Sequence, residues 1–216
     1  MSKHTFFFIV LTAVICGLST TQTQAQTKEI STKEKKFLKE EASNLLEYYK
    51  NILELIGDLK TPSSERKIYI EEAYLHAFAD ENVYIEDDLI ADRKQERYTR
   101  VKEYLRNINL FFYKSNVVFE FKNLSLSDIF VKDYLFILVN FDKTITGTPT
   151  DAKASMTQNV KRQAEIRFEK TDGEKWTSKI VNIGKPLELS DFTKVAITKK
   201  EPTITLKKAE ENYNLD

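Results

Sequence analysis

The dominant hydrophobic period of this chain changes near Asn116, and that change restricts the folds open to it. Before Asn116, apolar residues recur at three- and four-residue steps, which is the spacing of an amphipathic helix. After it, apolar and polar residues alternate, as they do in a β-strand with one buried face. Helices followed by a run of strands predict an α+β fold, with N-terminal helices packed in a curved antiparallel sheet as a single domain.

A long first helix is predicted over residues 31–58. Ser31 and Glu34 have the spacing of a capping box, and Gly57 is placed to end the helix in a left-handed conformation. One apolar stripe runs along it, formed by Leu38, Ala42, Leu45, Tyr49, Ile52 and Ile56. These positions predict a helix with a single buried face.

Two further helices and a short strand are predicted before the change of period. The second helix covers residues 61–80, with Thr61 as its cap and Pro62 in its first turn. The strand falls within residues 82–89, where β-branched and aromatic side chains run into acids. A third helix is predicted from Tyr98 to Phe112, and it ends by Asn116.

The second half of the chain predicts a sheet. Residues 117–122 alternate, and "DYLFILVNFDKTITG" is apolar on both faces in its first half, as a central strand is. "QNVKRQAEIRFEKTDGEKWTSKIVNIG" predicts a hairpin that turns at Asp172 and Gly173. The polar stretch "KTITGTPTDAKASMTQNVKRQ" between these strands predicts an exposed loop and a candidate partner-binding edge.

This order of elements resembles the α+β cone fold of the nuclear-transport-factor and ketosteroid-isomerase group, a cystatin-like arrangement. The resemblance covers about Lys28 to Ile183 and rests on element order and on aromatic residues, which are Tyr49, Phe112, Phe119, Phe136 and Trp176. It implies a curved antiparallel sheet around a long helix, with an apolar pocket at the open end. Members of the group include isomerases, dehydratases, small-molecule binders and protein-binding adaptors, so the resemblance implies a fold and leaves the function open.

The first 25 residues predict a signal peptide. Thr5–Leu18 is an apolar run of 14 residues, too short to cross a bilayer, and the small residue Ala25 suits cleavage before Gln26. Lipid attachment at Cys16 is disfavoured because the preceding Ile15 is bulky and β-branched. We therefore predict an extracytoplasmic protein, periplasmic or secreted, with its domain at residues 26–186 and a partly flexible extension at 187–216.

Composition argues against several classes of function. The chain has 33 basic and 33 acidic residues, so no net field attracts nucleic acid, and no later apolar run predicts a membrane span. Cys16 is the only cysteine, and His76 is the only histidine beyond the predicted signal, so neither a disulfide nor a zinc site is expected. No glycine-rich phosphate loop is present, and no cofactor is predicted.

Two residues are candidates for acid–base chemistry. His76 lies in the second predicted helix, and strand alternation places Asp87 on the same face as Val83 and Ile85. If that face lines a pocket, Asp87 is a buried carboxylate with a raised pKa. The favoured interpretation is that the acids of "DENVYIEDDLIAD" form a solvated loop and that His76 is an ordinary helix residue.

The predicted function is a non-catalytic domain that binds a small apolar ligand or a protein partner. Side chains with a hydroxyl or indole donor are its candidate ligand-binding residues: Tyr74, Tyr84, Tyr104, Tyr134 and Trp176. The alternative is a small isomerase, dehydratase or hydrolase that uses Asp87 and His76. A homodimer formed through the open sheet is a further prediction.

Overall fold

The computed structural model of this protein describes residues 30–90, 95, 97–131, 133–171 and 175–187. From Thr32 onward the described residues belong to one compact unit. The predicted signal segment, the Asp172–Gly173 turn and the predicted C-terminal extension beyond Leu187 lie outside the described residues, so these predictions stay predictions. No helix in the described ranges is long and apolar enough to cross a membrane.

Helix α1, Thr32–Gly57, is the long first helix that the sequence predicts. Its buried stripe follows the prediction except that Leu46 is fully buried rather than Leu45, and that Leu53 is buried as well. This face packs against the sheet. The predicted left-handed end is wrong, because no described glycine has a positive φ. Gly57 serves close packing instead, since a Cβ atom there would lie 2.5 Å from the backbone oxygen of Val117.

The remaining helices are shorter than predicted. Helix α2 is Ser63–Glu71, and a 3₁₀ turn continues it at Ala73–His76. Pro62, not Thr61, is its N-terminal cap residue, and no side chain caps it. Helix α3 is Val101–Phe111, since Tyr98 belongs to a short strand before it. α3 packs against α1 and α2.

Seven strands form one sheet. They are β1 (Tyr84–Glu86), β2 (Tyr98–Arg100), β3 (Val117–Leu126), β4 (Phe130–Val131), β5 (Leu135–Gly147), β6 (Met156–Lys170) and β7 (Trp176–Gly184). Their order is β2-β1-β7-β6-β5-β3, with β4 paired to β5 beyond the end of β3. All pairs are antiparallel except β1 with β7.

The sheet is curved and wraps the long helix. Register shifts interrupt β3 between Lys122 and Ser125 and β6 between Glu165 and Ile166, and such bulges bend a strand and increase its twist. α1 packs against β3, β5, β6 and β7. The predicted α+β fold, with helices held in a curved, mainly antiparallel and cone-like sheet, is therefore confirmed.

The long polar loop predicted between the central strands is wrong. β5 continues to Gly147 and β6 begins at Met156, so only the residues between them connect the two strands. The error arose because the outer face of both strands is polar there. Thr144 donates a hydrogen bond to Asn159 across that face at 2.7 Å, and Lys143 next to it points inward and is buried.

Candidate functional site

A group of charged and phenolic side chains is buried between the helices and the inner face of the sheet. We call it the ion cluster, and it consists of Glu86, Asp88, Tyr104, Lys143 and Arg162, all of them buried. Buried charges are rare unless they are paired, because removing an ion from water costs several kcal/mol. This cluster is therefore the part of the described core that packing alone does not explain.

Four different elements bring the cluster together. Asp88 follows the end of β1, and Tyr104 lies on the inner side of α3. Lys143 occupies an inward position of β5, between the buried side chains of Phe141 and Ile145. Arg162 on β6 is the register partner of Phe141, so it lies on the same inner face.

Both oxygens of the Asp88 carboxylate are hydrogen-bonded. Its Oδ1 accepts from the Tyr104 hydroxyl at 2.6 Å and from Lys143 Nζ at 3.0 Å. Its Oδ2 accepts from Arg162 Nε at 3.1 Å. Lys143 Nζ also donates to the Tyr104 hydroxyl at 2.5 Å, and Arg162 Nη2 pairs with Glu86 Oε1 at 3.4 Å. Three donors therefore surround Asp88, and hydrogen bonds to both oxygens hold its carboxylate in place.

Charge pairing decides the ionisation of this group. Burial opposes ionisation of Asp88, but the charges of Lys143 and Arg162 and the hydrogen bonds from Tyr104 and Lys143 hold its pKa below the usual value. Burial lowers the pKa of Lys143, and the Asp88 carboxylate opposes that shift. Burial, and then the charge of Asp88, raise the pKa of Tyr104 well above its usual value. At neutral pH Asp88 is therefore an anion between the Lys143 amine and the Arg162 guanidinium, with a phenol that stays protonated.

Two buried tyrosines in this region provide a matched test of the network. Tyr104→Phe removes a hydroxyl that donates to Asp88 and accepts from Lys143. Tyr49→Phe removes a hydroxyl that has no hydrogen-bond partner among the described residues. We expect Tyr104→Phe to lower the unfolding free energy by about 1–3 kcal/mol and Tyr49→Phe to leave it unchanged or raise it. Urea denaturation measures both, and equal losses would contradict the assignment.

An open cleft of about 520 Å³ borders the cluster, and we call it the Asp87 cleft. Its lining residues are Glu86, Asp87, Asp88, Ile90, Gln95, Gln158, Val160, Lys161, Arg162, Lys185 and Pro186. Most of them are charged or amides, so the cleft has several polar groups beside its apolar surface. Gln158 Oε1 is buried in it and accepts no hydrogen bond from the described part of the chain. The cleft therefore offers an acceptor and charges of both signs to a small molecule.

The two candidate acid–base residues lie in different surroundings. Asp87 is buried and lines the Asp87 cleft, while His76 is exposed and outside that lining. β1 ends at Glu86, so strand alternation no longer applies at Asp87. The prediction of a solvated acidic loop is wrong for Glu86, Asp87 and Asp88, because all three are buried. The structure does not bring Asp87 and His76 into one cleft.

The predicted ligand-binding aromatics are likewise dispersed. Tyr74 is buried beneath the 3₁₀ turn, and Tyr84 is exposed on β1. Tyr134 donates to Glu165 at 2.5 Å, and Trp176 stacks with the Lys170 ammonium 4.7 Å from its ring centroid. Tyr104 alone belongs to the ion cluster. Their binding roles stay predictions.

Lys143 and Arg162 were missed as site residues, although the sequence carries a signal for them. Phe141, Lys143 and Ile145 alternate with polar residues, so the pattern places a lysine in an otherwise apolar inner row. A charge at such a position requires a buried partner. Among the described residues no group of three or more acids, histidines or cysteines could hold a metal ion.

Comparison with known proteins yields a structural likeness and nothing closer. No family model matches the chain, and no curated protein matches it. A nuclear transport factor 2 (NTF2-like) superfamily protein from Salmonella enterica serovar Typhimurium LT2 is similar at a TM-score of 0.41 and 13% identity, over 71% of this chain and 94% of that one. A candidate scytalone dehydratase from Novosphingobium aromaticivorans DSM 12444 is similar at a TM-score of 0.43 and 12% identity, over 72% and 89%. Similarity at these TM-scores and identities gives no evidence about function.

Proposed function

We propose that this protein is a non-catalytic extracytoplasmic binding domain that holds a small zwitterionic molecule, such as an amino acid, in the Asp87 cleft. The observation that supports this proposal most directly is a cleft of about 520 Å³ that is lined by charges of both signs. The lining also includes Gln158, whose buried amide oxygen has no hydrogen-bond partner within the described chain. The proposed location rests on the signal-like pattern of residues 1–25.

The ion cluster supports binding without catalysis. A general base needs a lone pair within reach of the substrate and a pKa near the working pH. Asp88 already accepts hydrogen bonds from Tyr104, Lys143 and Arg162, and its pKa is lowered. Such a carboxylate orients its neighbours and stabilises the cleft wall, but it has little capacity to move protons.

The lining favours a polar ligand over the apolar ligand predicted from the sequence. Carboxylates of Glu86 and Asp87 suit an ammonium group, and Gln158 Oε1 suits one of its N–H donors. Lys185 suits a carboxylate. An apolar molecule would displace water from these charged groups without making hydrogen bonds to them, so it would bind weakly here.

Thermal unfolding with separate probes tests the proposal. The probes are individual L-amino acids, with acetate, methylammonium and 1-anilinonaphthalene-8-sulfonate as single-charge and apolar references. A ligand at about 100 times its Kd adds about 2.7 kcal/mol, which raises the Tm of a domain of this size by roughly 5–10 °C. We expect such a rise with at least one amino acid and none with the references.

Variants of the lining residues test whether the ligand binds in the Asp87 cleft. Asp87→Asn and Lys185→Met each remove one charge from the lining and should abolish the rise in Tm. Glu103→Gln is the matched control, because this carboxylate is exposed on α3 and pairs with Arg97 outside the cleft. Turnover of the bound amino acid would favour the enzyme alternative. A rise caused only by the apolar probe, or one that both lining variants retain, would contradict the proposal.

A further inference from the structure

Strand β3 is an edge of the sheet, with a strand neighbour on one side only within the described chain. Its strand neighbour is β5, and the sheet order ends at β3. The strand is regular from Val117 to Lys122, before the bulge, and its outward side chains there are Val118, Glu120 and Lys122. An edge of this kind presents a row of backbone N–H and C=O groups to any extended segment that can pair with it.

Helix α1 borders this edge along its length. One flank of α1 faces α2, where the Tyr48 hydroxyl donates to the carbonyl of Ala73. The other flank meets the ends of β3 in two open clefts, of about 740 and about 600 Å³. The first joins the N-terminal part of α1 to Leu126, and the second joins its C-terminal part to Val117. Helix and strand therefore run in opposite directions along the edge.

The two ends of the edge carry opposite excess charge. Three lysines, Lys35, Lys36 and Lys39, line the first cleft, against the carboxylates of Glu40 and Asp128.

At the other end the balance is reversed. The carboxylates of Glu54 and Asp58 line the second cleft, against Lys60 alone. A surface with a positive and a negative end is complementary to a copy of itself turned by 180°. This property points to a second copy of the chain rather than to an unrelated partner.

We propose that this protein forms a two-fold symmetric dimer in which β3 pairs antiparallel with β3 of a second copy. The pairing joins two seven-stranded sheets edge to edge. It also sets the lysine-rich cleft of each copy beside the acidic cleft of the other, because the two-fold axis reverses the direction of α1.

The charges of β3 select the register. Residues directly opposite each other in an antiparallel pair lie on the same face, and opposite charges there are favourable. A two-fold axis at Phe121 places Glu120 against Lys122 of the second copy, and this occurs twice. A two-fold axis at Glu120 would instead place Glu120 of one copy directly opposite Glu120 of the other, so two like charges would face each other.

The exposure of the outward side chains of β3 is consistent with this register. The side chains of Glu120 and Lys122 are 48% and 63% exposed and are paired within one chain at 2.6 Å. Val118 is 50% exposed although it is apolar. In the dimer it comes to the region of Leu124 of the second copy, which is 42% exposed. Pairing therefore covers the exposed apolar side chains of the edge.

Charge reversal tests the dimer by sedimentation equilibrium on the purified protein. We expect the wild type to dimerise, and Glu120→Lys or Lys122→Glu to raise the dissociation constant by about tenfold or more, since each puts two like pairs in the interface. Mixing the two variants restores complementary pairs, so the mixture should form a heterodimer. The combined Glu120→Lys/Lys122→Glu chain should dimerise as the wild type does.

Glu169→Lys is the matched control. It reverses an exposed carboxylate that pairs with Arg167 at 3.1 Å on β6, inside the sheet rather than at its edge, so the dimer should persist. A wild type that stays monomeric would overturn the proposal, whatever else binds at the edge. So would a dimer that survives both single reversals, since its interface would then lie elsewhere, for example on the open sheet face.

Discussion

We expect Asp88→Asn to lower the unfolding free energy by about 3–5 kcal/mol, because it removes the anion that pairs with buried Lys143 and leaves Arg162 with Glu86 as its remaining carboxylate partner. Lys143 and Arg162 both donate to the Asp88 carboxylate, and both side chains are almost fully buried. The asparagine side chain keeps the volume but not the charge. The loss therefore measures electrostatic compensation rather than a cavity.

Urea denaturation with a double-variant cycle separates this effect from a general packing defect. Asp88→Asn/Lys143→Met removes one buried cation together with the anion, so it should be less destabilised than Asp88→Asn alone. Asp142→Asn is the control, since Asp142 accepts from the exposed side chain of Asn123, and it should change stability by less than about 0.5 kcal/mol. Additive losses in the cycle would argue against the network.

The pH dependence of the unfolding free energy is a second measurement that tests the Asp88 network. The pKa of Asp88 is lowered in the folded protein, so its contribution is complete above the unfolded value, about 3.9, and is lost as the pH falls through the folded value. We expect acid to destabilise the wild type in this range. Asp88→Asn should flatten that part of the profile.

Gly57→Ala should be the most damaging of the alanine substitutions at the described glycines, with a loss of about 1–3 kcal/mol. In most helices the same change stabilises, because alanine restricts the unfolded chain. Here the new Cβ would lie 2.5 Å from the Val117 backbone oxygen and 2.7 Å from its Cγ1 atom. The backbone of β3 cannot move away without disturbing its pairing with β5.

Two other glycines provide graded controls. At Gly147 a Cβ would approach the buried Phe112 ring to 3.1 Å, so a smaller loss is expected. At Gly184 it would approach the Tyr98 hydroxyl at 3.2 Å, and this partly exposed ring can rotate, so Gly184→Ala should be close to neutral. Thermal unfolding of the three variants measures the order. A stable Gly57→Ala protein would contradict the close contact of α1 with β3.

The fold was predictable where a period runs long enough to be recognised. α1 repeats its apolar stripe over Thr32–Gly57, and the first half of β5 is apolar on both faces. The predicted ends of helices were wrong where tertiary contacts determine where a helix ends. Gly57 resembles a helix terminator in sequence, yet its role depends on Val117, which no local pattern connects to it.

The site was less predictable, for a physical reason. Acids beside a short strand are solvated in most proteins, and only the positions of Lys143 and Arg162 make Asp88 stable in the interior. The sequence separation from Asp88 is 55 residues to Lys143 and 74 to Arg162. Local sequence patterns do not predict contacts between residues so far apart. The polar residues on the outer face of β5 made this segment resemble a loop, so Lys143 was not recognised as an inward residue.

The parallel pairing of β1 with β7 has a consequence for the order of folding. β1 joins the sheet through Ile85 and Ile183, so it has no place in the sheet until the last described strand is present. A chain emerging from the ribosome can build its helices and the hairpins of β3, β5 and β6 while the acids after β1 are still solvated. Contacts of such long range form late and limit the folding rate. We therefore expect the charged core to close last, when β7 docks.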